Sequence, residues 1–166
     1  MSLVIIFLIG FFVIKYLKSK NVEESEYTPQ QEISEEQLRE TIVTLYFLDS
    51  ESNVLKPEAR LVNVKEVLQS PYLTIVKLLI GGPKNDKFKG LIPEDTQILN
   101  AALDGECVVL DFSSELLQYN KEDSKYKENL INSIVNSLTE LTEVNKIKIL
   151  INGETNNEFP DEYSRK

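Results

Sequence analysis

Glycine and proline punctuate residues 81–113 so closely that they fix the local order of secondary structure. Gly81-Gly82-Pro83 ends a helix, since glycine accepts the left-handed capping conformation and proline cannot continue the helix. Asp104-Gly105 separates two apolar runs, residues 96–103 and 107–112, and predicts a hairpin closed by a two-residue type I′ turn, which needs positive φ. The segment therefore predicts a helix end, a loop, a strand, a tight turn and a second strand.

Hydrophobic periodicity predicts the elements on either side of this segment. Ser70 and Pro71 are typical of a helix start, at the N-cap and the first helical position, and this helix ends at Gly81. Apolar residues that recur every three or four positions predict a long amphipathic helix over about residues 124–144. Runs of β-branched, aromatic or alternating residues predict further strands, at residues 41–48, 59–67 and 146–151.

The order of these elements predicts the fold class. Strand, strand, helix, hairpin, helix, strand is an α/β chain of the α+β type, and both helices carry a single apolar stripe. We therefore expect a two-layer sandwich, in which one mixed, mostly antiparallel sheet of about five strands carries both helices on one face. The polar residues 155–166 predict a loose tail.

The N-terminus carries a long, unbroken apolar run. Residues 3–14 (LVIIFLIGFFVI) are followed by Lys15, Tyr16, Leu17 and Lys18, so residues 1–18 come close to the lower length limit of a spanning helix. A cleaved signal peptide is the competing interpretation. The run has no basic segment before it and no Ala-x-Ala-like site after it, which favours an uncleaved transmembrane anchor.

An acidic segment separates this anchor from the domain. Residues 21–40 hold seven glutamates against one arginine. Like charge and low hydrophobicity favour an extended spacer in such a segment. The predicted organisation is a transmembrane anchor (residues 1–18), an acidic linker (19–40), one folded domain (41–154) and a polar tail (155–166).

The composition excludes several classes of function. A net charge of −9 disfavours nucleic acid as a partner, because phosphates need a basic surface. The chain has no histidine, which removes the commonest general base, the Ser/His and Cys/His nucleophile pairs and most zinc sites. The single cysteine, Cys107, falls inside a predicted strand, which favours a buried small side chain over a reactive thiol. We therefore predict a protein that is not an enzyme, with no catalytic, cofactor-binding or metal-binding residues.

Acidic residues are plentiful, and each candidate group favours a structural role. The pairs Glu94-Asp95 and Asp104/Glu106 lie in predicted turns, where acidic residues are common. Asp111 stands at the end of a predicted strand, and we expect its side chain to cap the turn that follows directly. As a metal ligand, Asp111 lacks companions at a suitable spacing.

The glycine- and proline-rich segment resembles the core motif of the GerMN domain, a family of sporulation and spore-germination proteins. In that family a helix ends in Gly-Pro, an Ile-Pro-x-x-Thr segment enters a strand, and a glycine turn leads to a strand that ends near Val-Asp-Leu-Ser. The matching residues here are Gly82-Pro83, Ile92-Pro93-Glu94-Asp95-Thr96, Gly105, Leu110-Asp111-Phe112-Ser113 and, as a recurrent ending, Asn152-Gly153-Glu154. The resemblance covers about residues 41–154 and implies a fold similar to the ring-building motifs of bacterial secretion and sporulation complexes.

The resemblance also implies a function. A GerMN-like chain with an N-terminal anchor is expected to be a non-catalytic scaffold of the cell membrane, single-pass, with its domain outside the cytoplasm, used in sporulation or germination. Its implied partners are other membrane or envelope proteins and further copies of the chain, in oligomers or rings formed through strand edges and helix faces. Lys15, Lys18 and Lys20 follow the anchor and by the positive-inside rule predict the opposite orientation. We follow the resemblance.

Two other classes of function stay open at this point. An extracytoplasmic ligand-binding or sensory module predicts a sizeable apolar pocket with a few convergent polar groups. A cell-envelope hydrolase predicts a cleft that holds titratable groups with shifted pKa values. The sequence offers no candidate lining for such a pocket and no motif for the hydrolase.

Overall fold

The computed structural model describes residues 39–165 of the 166-residue chain. The predicted transmembrane anchor and nearly all of the predicted acidic linker fall in residues 1–38, outside the described residues. Within residues 39–165, no helix combines the length and the apolarity that crossing a membrane requires.

Strands and helices are mixed along the described chain, as the predicted α+β class requires. In chain order they are β1 (Glu40–Asp49), β2 (Leu55–Asn63), α1 (Val64–Gln69), α2 (Pro71–Ile80), β3 (Phe88–Lys89), β4 (Ile98–Asp104), β5 (Cys107–Phe112), a 3₁₀ helix (Ser114–Gln118), α3 (Tyr126–Leu138), β6 (Lys146–Ile151), β7 (Glu154–Thr155) and β8 (Glu162–Ser164). The bounds of β5 and β6 agree with the sequence prediction, because both strands are short apolar runs that end at turn residues.

The strands form two sheets where we predicted one. In the first sheet β1 lies between β2 and β3 and is antiparallel to both. The second sheet has the order β4-β5-β6-β7, with β8 also paired to β6. Strands β5 and β6 are parallel, and the other pairs of this sheet are antiparallel. The prediction of a single sheet was wrong, because the residues of a strand do not show which neighbour it pairs with.

Helix α3 contributes to this separation at the edge of β1. The Tyr46 N–H donates to Ser137 Oγ at 2.9 Å, and Ser133 Oγ donates to the Tyr46 carbonyl at 2.5 Å. Two serines of the helix thus take the hydrogen bonds that a neighbouring strand would make with β1 at this position.

One buried core joins the helices to both sheets. Strands β5 and β6 each alternate buried and more exposed residues, so one face of the second sheet is buried. Helix α2 contacts both β1 and β4. The core includes Leu45 and Phe47 from the first sheet, Leu110, Phe112, Ile147 and Ile149 from the second, and Val76, Leu79, Leu130 and Ile134 from the helices.

Two local predictions need correction at the ends of β2 and α3. Strand β2 starts and ends earlier than predicted, because the Asn63 side chain accepts a hydrogen bond from the Lys65 N–H and starts α1 there. Helix α3 ends at Leu138, short of the predicted residue 144. The chain then turns, and the Leu141 N–H donates a hydrogen bond to the Leu138 carbonyl.

The ends of α2 and the β4–β5 hairpin lie where they were predicted, but their capping and turn geometry differ from the prediction. Ser70 precedes α2 as predicted, yet its side chain makes no capping hydrogen bond, and Gly82 takes positive φ (75°) after the helix. The β4–β5 hairpin closes at the pair Asp104–Cys107, so its turn residues are Gly105 and the next residue. Of these, Gly105 alone has positive φ (62°), which indicates a type II′ turn in place of the predicted type I′.

The C-terminal segment is part of the fold, and the prediction of a loose tail was wrong. Strands β7 and β8 both pair with β6, and a bridge joins Asn156 to Phe159. Phe159 is only 1% exposed. The polar average of residues 155–166 hides Phe159, whose buried ring helps to anchor the segment in the core.

Candidate functional site

The Gly82-Pro83 turn, the first part of the GerMN-like motif, is held by a buried arginine on β2. Arg60 is 7% exposed, and its Nη2 donates to the Gly82 carbonyl at 2.7 Å. Its Nε donates to Glu58, and the guanidinium lies 5.9 Å from the ring centroid of Phe47. The turn is therefore fixed to the first sheet through a charged side chain inside the fold.

The carboxylate of Glu58 fixes the residues that follow this turn. It accepts hydrogen bonds from the backbone N–H groups of Lys84 (3.1 Å) and Asn85 (3.0 Å). Burial by itself would raise the pKa of Glu58, but these two donors and Arg60 outweigh burial and lower the pKa below its ordinary value. This network was not predicted from the sequence. Its signal was an acid and an arginine two residues apart, and so on the same face of a strand.

Asp111 has a structural role, although not the one predicted. Its Oδ1 accepts a 2.7 Å hydrogen bond from the Gly153 N–H in the turn after β6, and the predicted cap of the directly following turn was wrong. Asn152 (φ 51°) and Gly153 (φ 81°) are both left-handed there. The strands β5 and β6 are parallel, so the ends of both meet at one edge of the sheet. This brings two parts of the motif together.

The remaining motif segment enters β4 beside the end of β5. The Ser113 N–H donates to the Gln97 carbonyl at 2.9 Å, and the Gln97 N–H donates to Ser113 Oγ at 3.0 Å. Thr96 is 3% exposed, and its hydroxyl has no hydrogen-bond partner among the described residues. The serine of the motif is thus engaged in hydrogen bonds that hold the backbone, as are Gly82 and Asp111.

The predicted acidic pairs do not converge on a cleft. Glu94 and Asp95 are exposed before β4, whereas Asp104 and Glu106 are exposed at the hairpin beyond its other end. Within residues 39–165, no three acidic, cysteine or histidine side chains come close enough to hold a metal ion. The structure therefore places these carboxylates as surface charges at the two ends of β4.

Cys107 lies half-buried at the start of β5. Burial, followed by the nearby Glu162 carboxylate, raises the pKa of its thiol above the ordinary value. The thiol is therefore protonated near neutral pH, which favours the structural interpretation over a nucleophile.

Two polar clusters that sequence analysis missed attach the C-terminal segment to the domain. In the first, the Tyr46 hydroxyl and Arg165 Nη1 both donate to Glu140 Oε1, each at 2.9 Å. Arg165 Nη2 also donates to the Tyr46 hydroxyl at 2.7 Å, and its guanidinium lies 5.2 Å from the tyrosine ring centroid. This cluster ties the last described residue to β1 and to the turn after α3.

The second cluster centres on Glu158. The Tyr119 hydroxyl donates to Glu158 Oε2 at 2.7 Å, and Lys121 and Lys127 approach the same carboxylate at 3.4 and 3.5 Å. Burial, together with the hydrogen bond and the charge of Glu158, raises the pKa of Tyr119 to about 12. The ring of Tyr119 also lies 6.0 Å from that of Phe159, so the cluster covers the buried end of the C-terminal segment.

Open grooves flank helix α3 and the helix pair α1–α2. The first groove, of about 480 Å³, lies between α3 and β8 and includes Lys127, Ile131 and Tyr163. Another of about 440 Å³ lies between α3 and the β1–β2 turn, and half of its lining residues are asparagines, namely Asn53, Asn129, Asn132 and Asn136. A third, of about 370 Å³, lies between α1 and α2. None of these three grooves contains the motif residues.

Comparison with known proteins agrees with the motif. A family model with the description "Germane: Sporulation and spore germination" matches residues 44–157. The spore germination protein GerM of Bacillus subtilis (strain 168) is 27% identical in an alignment 161 residues long that covers 90% of this chain. The chain spans 41% of the length of GerM.

Solved structures show the same fold. The first GerMN domain of the sporulation protein GerM from Bacillus subtilis has a TM-score of 0.61 and 25% identity, over 72% of this chain and 89% of that one. The tandem GerMN domains of the same protein give a TM-score of 0.62 and 21% identity, over 78% and 46% of the two chains. A putative lipoprotein from Clostridium perfringens gives 0.52 and 18% identity, over 76% and 89%.

Proposed function

The chain belongs to the Germane family of sporulation and spore germination proteins, and from that premise we propose that it is a non-catalytic, membrane-anchored scaffold outside the cytoplasmic membrane. Its likeness to GerM supports a role related to sporulation. The predicted anchor at residues 1–18 would attach the chain to the membrane. The predicted linker at residues 19–40 would let the domain extend away from the membrane surface.

The observation that carries the scaffold role is where the motif residues lie. The carbonyl of Gly82, the carboxylate of Asp111 and the hydroxyl of Ser113 all make hydrogen bonds inside the domain. These residues hold loops and strand ends in place, and they line none of the three grooves described above for residues 39–165. The motif therefore preserves a fold, which leaves the surface of the domain to make contacts with other proteins.

The proposed partners are other membrane or envelope proteins, and further copies of the chain in oligomers or rings. Nucleic acid is disfavoured by the net charge of −9. A domain that acts by placement needs strand edges or helix faces that another chain can cover.

Genetic complementation in the native host tests this function. Deletion of the gene should lower the yield of heat-resistant spores or their germination. The full chain should restore the wild-type level, and a chain whose residues 1–18 are replaced by a cleaved secretion signal should not. A Cys107→Ser chain serves as the matched control and should restore it fully, because no thiol chemistry is involved. A deletion strain that sporulates and germinates normally would overturn the proposal.

A ligand-binding module is the second candidate, and the groove beside α3 is the observation in its favour. Asparagine is a weaker helix former than lysine or glutamate, yet Asn129, Asn132 and Asn136 occupy the groove side of α3. Their carboxamides would suit a neutral ligand rich in hydroxyl or amide groups. Titration of the labelled protein with neutral oligosaccharides, followed by NMR, should shift the α3 resonances if this candidate is correct. Unshifted spectra at millimolar ligand would reject such oligosaccharides as the ligand.

A further inference from the structure

Most strand edges of the described domain are protected against pairing with another chain. Strand β2 is one outer strand of its sheet, and Pro57 lies opposite Tyr46 in the ladder. The backbone N–H and C=O of Tyr46 bond to α3, so Tyr46 and Pro57 form a pair without hydrogen bonds between them. The backbone of Pro57 is therefore directed to the open side of β2, where proline has no N–H to donate. The buried charges of Glu58 and Arg60 point inward from the same strand, a further device against edge pairing. In the second sheet, β7 and β8 cover β6. The outer strands β3, β7 and β8 are only two or three residues long, and such short edges offer little to pair with.

Strand β4 is the exception. It is an outer strand of the second sheet, and residues 98–103 (ILNAAL) contain neither charge nor proline. A one-residue shift of register at Leu99 leaves residues 100–104 as the regular part of the edge. Leu99 and Leu103 are 49% and 38% exposed. The regular part of this edge carries no charge before Asp104 and no proline, and such an outer strand is a template for an added strand.

The register shows which backbone groups of β4 face outward. The carbonyls of Glu106 and Phe112 accept hydrogen bonds from the β6 side, at the Lys146 and Asn152 N–H groups. Even-numbered residues of β5 therefore face β6 and odd-numbered ones face β4. In the antiparallel β4–β5 ladder this leaves Ala101 and Leu103 with their N–H and C=O groups directed away from β5. No strand of the described chain lies on that side.

The charges around β4 indicate what would pair with it. Glu94 and Asp95 are exposed before the strand, and Asp104 and Glu106 are exposed at its other end. A second copy of this chain would bring the same acidic ends and a net charge of −9 to the contact, which is repulsive. A strand with basic residues at both ends would meet opposite charges at both ends of β4, whichever direction it runs.

We propose that β4 is the docking edge for an extended segment of a partner protein, with alternating apolar residues in its centre and lysine or arginine at both ends. The segment adds to the second sheet as a further strand and bonds to the outward backbone groups of Ala101 and Leu103. Its apolar side chains cover the exposed Leu103, and its cations lie against the acidic ends. The proposal rests on the scaffold function and assigns that function a surface and a class of partner.

A synthetic peptide tests the edge directly. The probe is a fluorescent peptide with a Val-Thr-Val-Thr-Val centre between two pairs of lysines, titrated with the full-length protein in detergent micelles and followed by anisotropy. We expect saturable binding that weakens as salt is raised. The same centre between pairs of glutamates should bind at least about tenfold more weakly. The lysine peptide with alternate backbone nitrogens methylated should also bind at least about tenfold more weakly, because it cannot complete the hydrogen-bond ladder.

Variants of the protein locate the site. Leu103→Lys should weaken peptide binding about tenfold, because it places a cation on the edge. Ala101→Pro, which removes an outward N–H and no bond to β5, should do the same. Leu61→Lys is the matched control on the outer strand β2 and should bind like the unmodified protein. Circular dichroism of each variant shows whether it is folded.

Three results would overturn the proposal. The first is the absence of peptide binding, and the second is equal binding of the methylated and unmethylated lysine peptides. The third is a protein dimer, seen by sedimentation, that the Leu103→Lys substitution dissociates, because the occupant of the edge would then be a second copy of the chain. These results would leave the scaffold function standing. A deletion strain without a phenotype would instead reject the scaffold function, whatever the peptide does.

Discussion

The backbone N–H of Gly153 donates a 2.7 Å hydrogen bond to Oδ1 of Asp111, 42 residues earlier in the chain. Asp111 is paired with Leu150 in the parallel β5–β6 ladder, so the bond closes the common end of two strands. The acid at the end of β5 and the Asn-Gly turn after β6, which are separate parts of the GerMN motif, therefore act as one structural unit.

Removal of this bond should destabilise the domain without disturbing its surface. We expect Asp111→Ala to lower the free energy of unfolding by about 1–2 kcal/mol, because the Gly153 N–H loses a charged acceptor. Asp111→Asn keeps an oxygen acceptor and should lose less. Urea denaturation of the purified protein measures both. Asp104→Ala, at the exposed hairpin, is the control and should change stability by less than about 0.5 kcal/mol. Equal effects of Asp111→Ala and Asp104→Ala would contradict the assigned role.

Elements defined by their own residues could be predicted from the sequence, and elements defined by distant partners could not. Strands β5 and β6 are short apolar runs with turn residues at their ends, so their bounds followed directly. The division into two sheets could not be predicted, and at Tyr46 the free edge of β1 is bonded to Ser133 and Ser137 of α3 in place of a strand. Nothing in the local sequence of β1 records that contact.

The site residues divide in the same way. The sequence indicated that Asp111 was structural, but its true partner, Gly153, became visible only once β5 and β6 were known to be parallel. Glu58 and Arg60 were missed because charged residues usually face solvent and because Glu58 lay outside the predicted strand of residues 59–67. In the structure the two side chains pair with each other, and Arg60 bonds to the Gly82 turn inside the fold.

The buried arginine should be among the most sensitive charged residues of the domain. Arg60→Ala removes the partner of Glu58, whose side chain is only 11% exposed, and it also orphans the Gly82 carbonyl. We expect a loss of about 3–5 kcal/mol in the free energy of unfolding. Lys146→Ala breaks the exposed pair with Glu162 and should cost at most about 1 kcal/mol. Thermal and urea unfolding distinguish the two, and a loss of similar size in both variants would show that the Arg60 pair is not buried in solution.

Stability should fall in acid, through carboxylates that are bonded in the folded state. The hydrogen bonds from Lys56, and then from the Ser52 N–H, lower the pKa of Asp49 from its ordinary value of 3.8, and the pKa of Glu58 is lowered from 4.5. A lowered folded-state pKa adds stability that is fully present above those ordinary values and is lost as the pH falls through the folded-state values.

Urea unfolding at several pH values between 7 and 3 checks this sign. The urea midpoint should be flat near neutral pH and should fall below about pH 4.5, the ordinary pKa of a glutamate. Asp49→Asn removes one of the titrating groups and should reduce the fall, while it lowers stability at pH 7. Asp161→Asn, whose residue is exposed between Phe159 and β8, is the control. A midpoint that falls as steeply in Asp49→Asn as in the unmodified protein would contradict the assignment.

The C-terminal segment should be essential for stability. Phe159 is 1% exposed and packs 6.0 Å from the Tyr119 ring. We expect Phe159→Ala to cost about 3–5 kcal/mol, the usual range for truncation of a buried aromatic side chain. Limited proteolysis should then cleave the chain near residue 160, where the unmodified protein resists. Asp161→Ala should stay resistant. A Phe159→Ala protein as stable and as resistant as the unmodified one would mean that the segment is a loose tail after all.

The position of the domain relative to the membrane tests the central claim most directly. A Cys107→Ser chain with Asp161→Cys carries one exposed thiol, and intact host cells can be treated with a membrane-impermeant maleimide before and after permeabilisation. The scaffold account predicts that the thiol is labelled in intact cells, either vegetative or sporulating, while the cytoplasmic membrane is still closed. Labelling that appears only after permeabilisation would place the domain in the cytoplasm, as Lys15, Lys18 and Lys20 predict, and would contradict the extracytoplasmic scaffold.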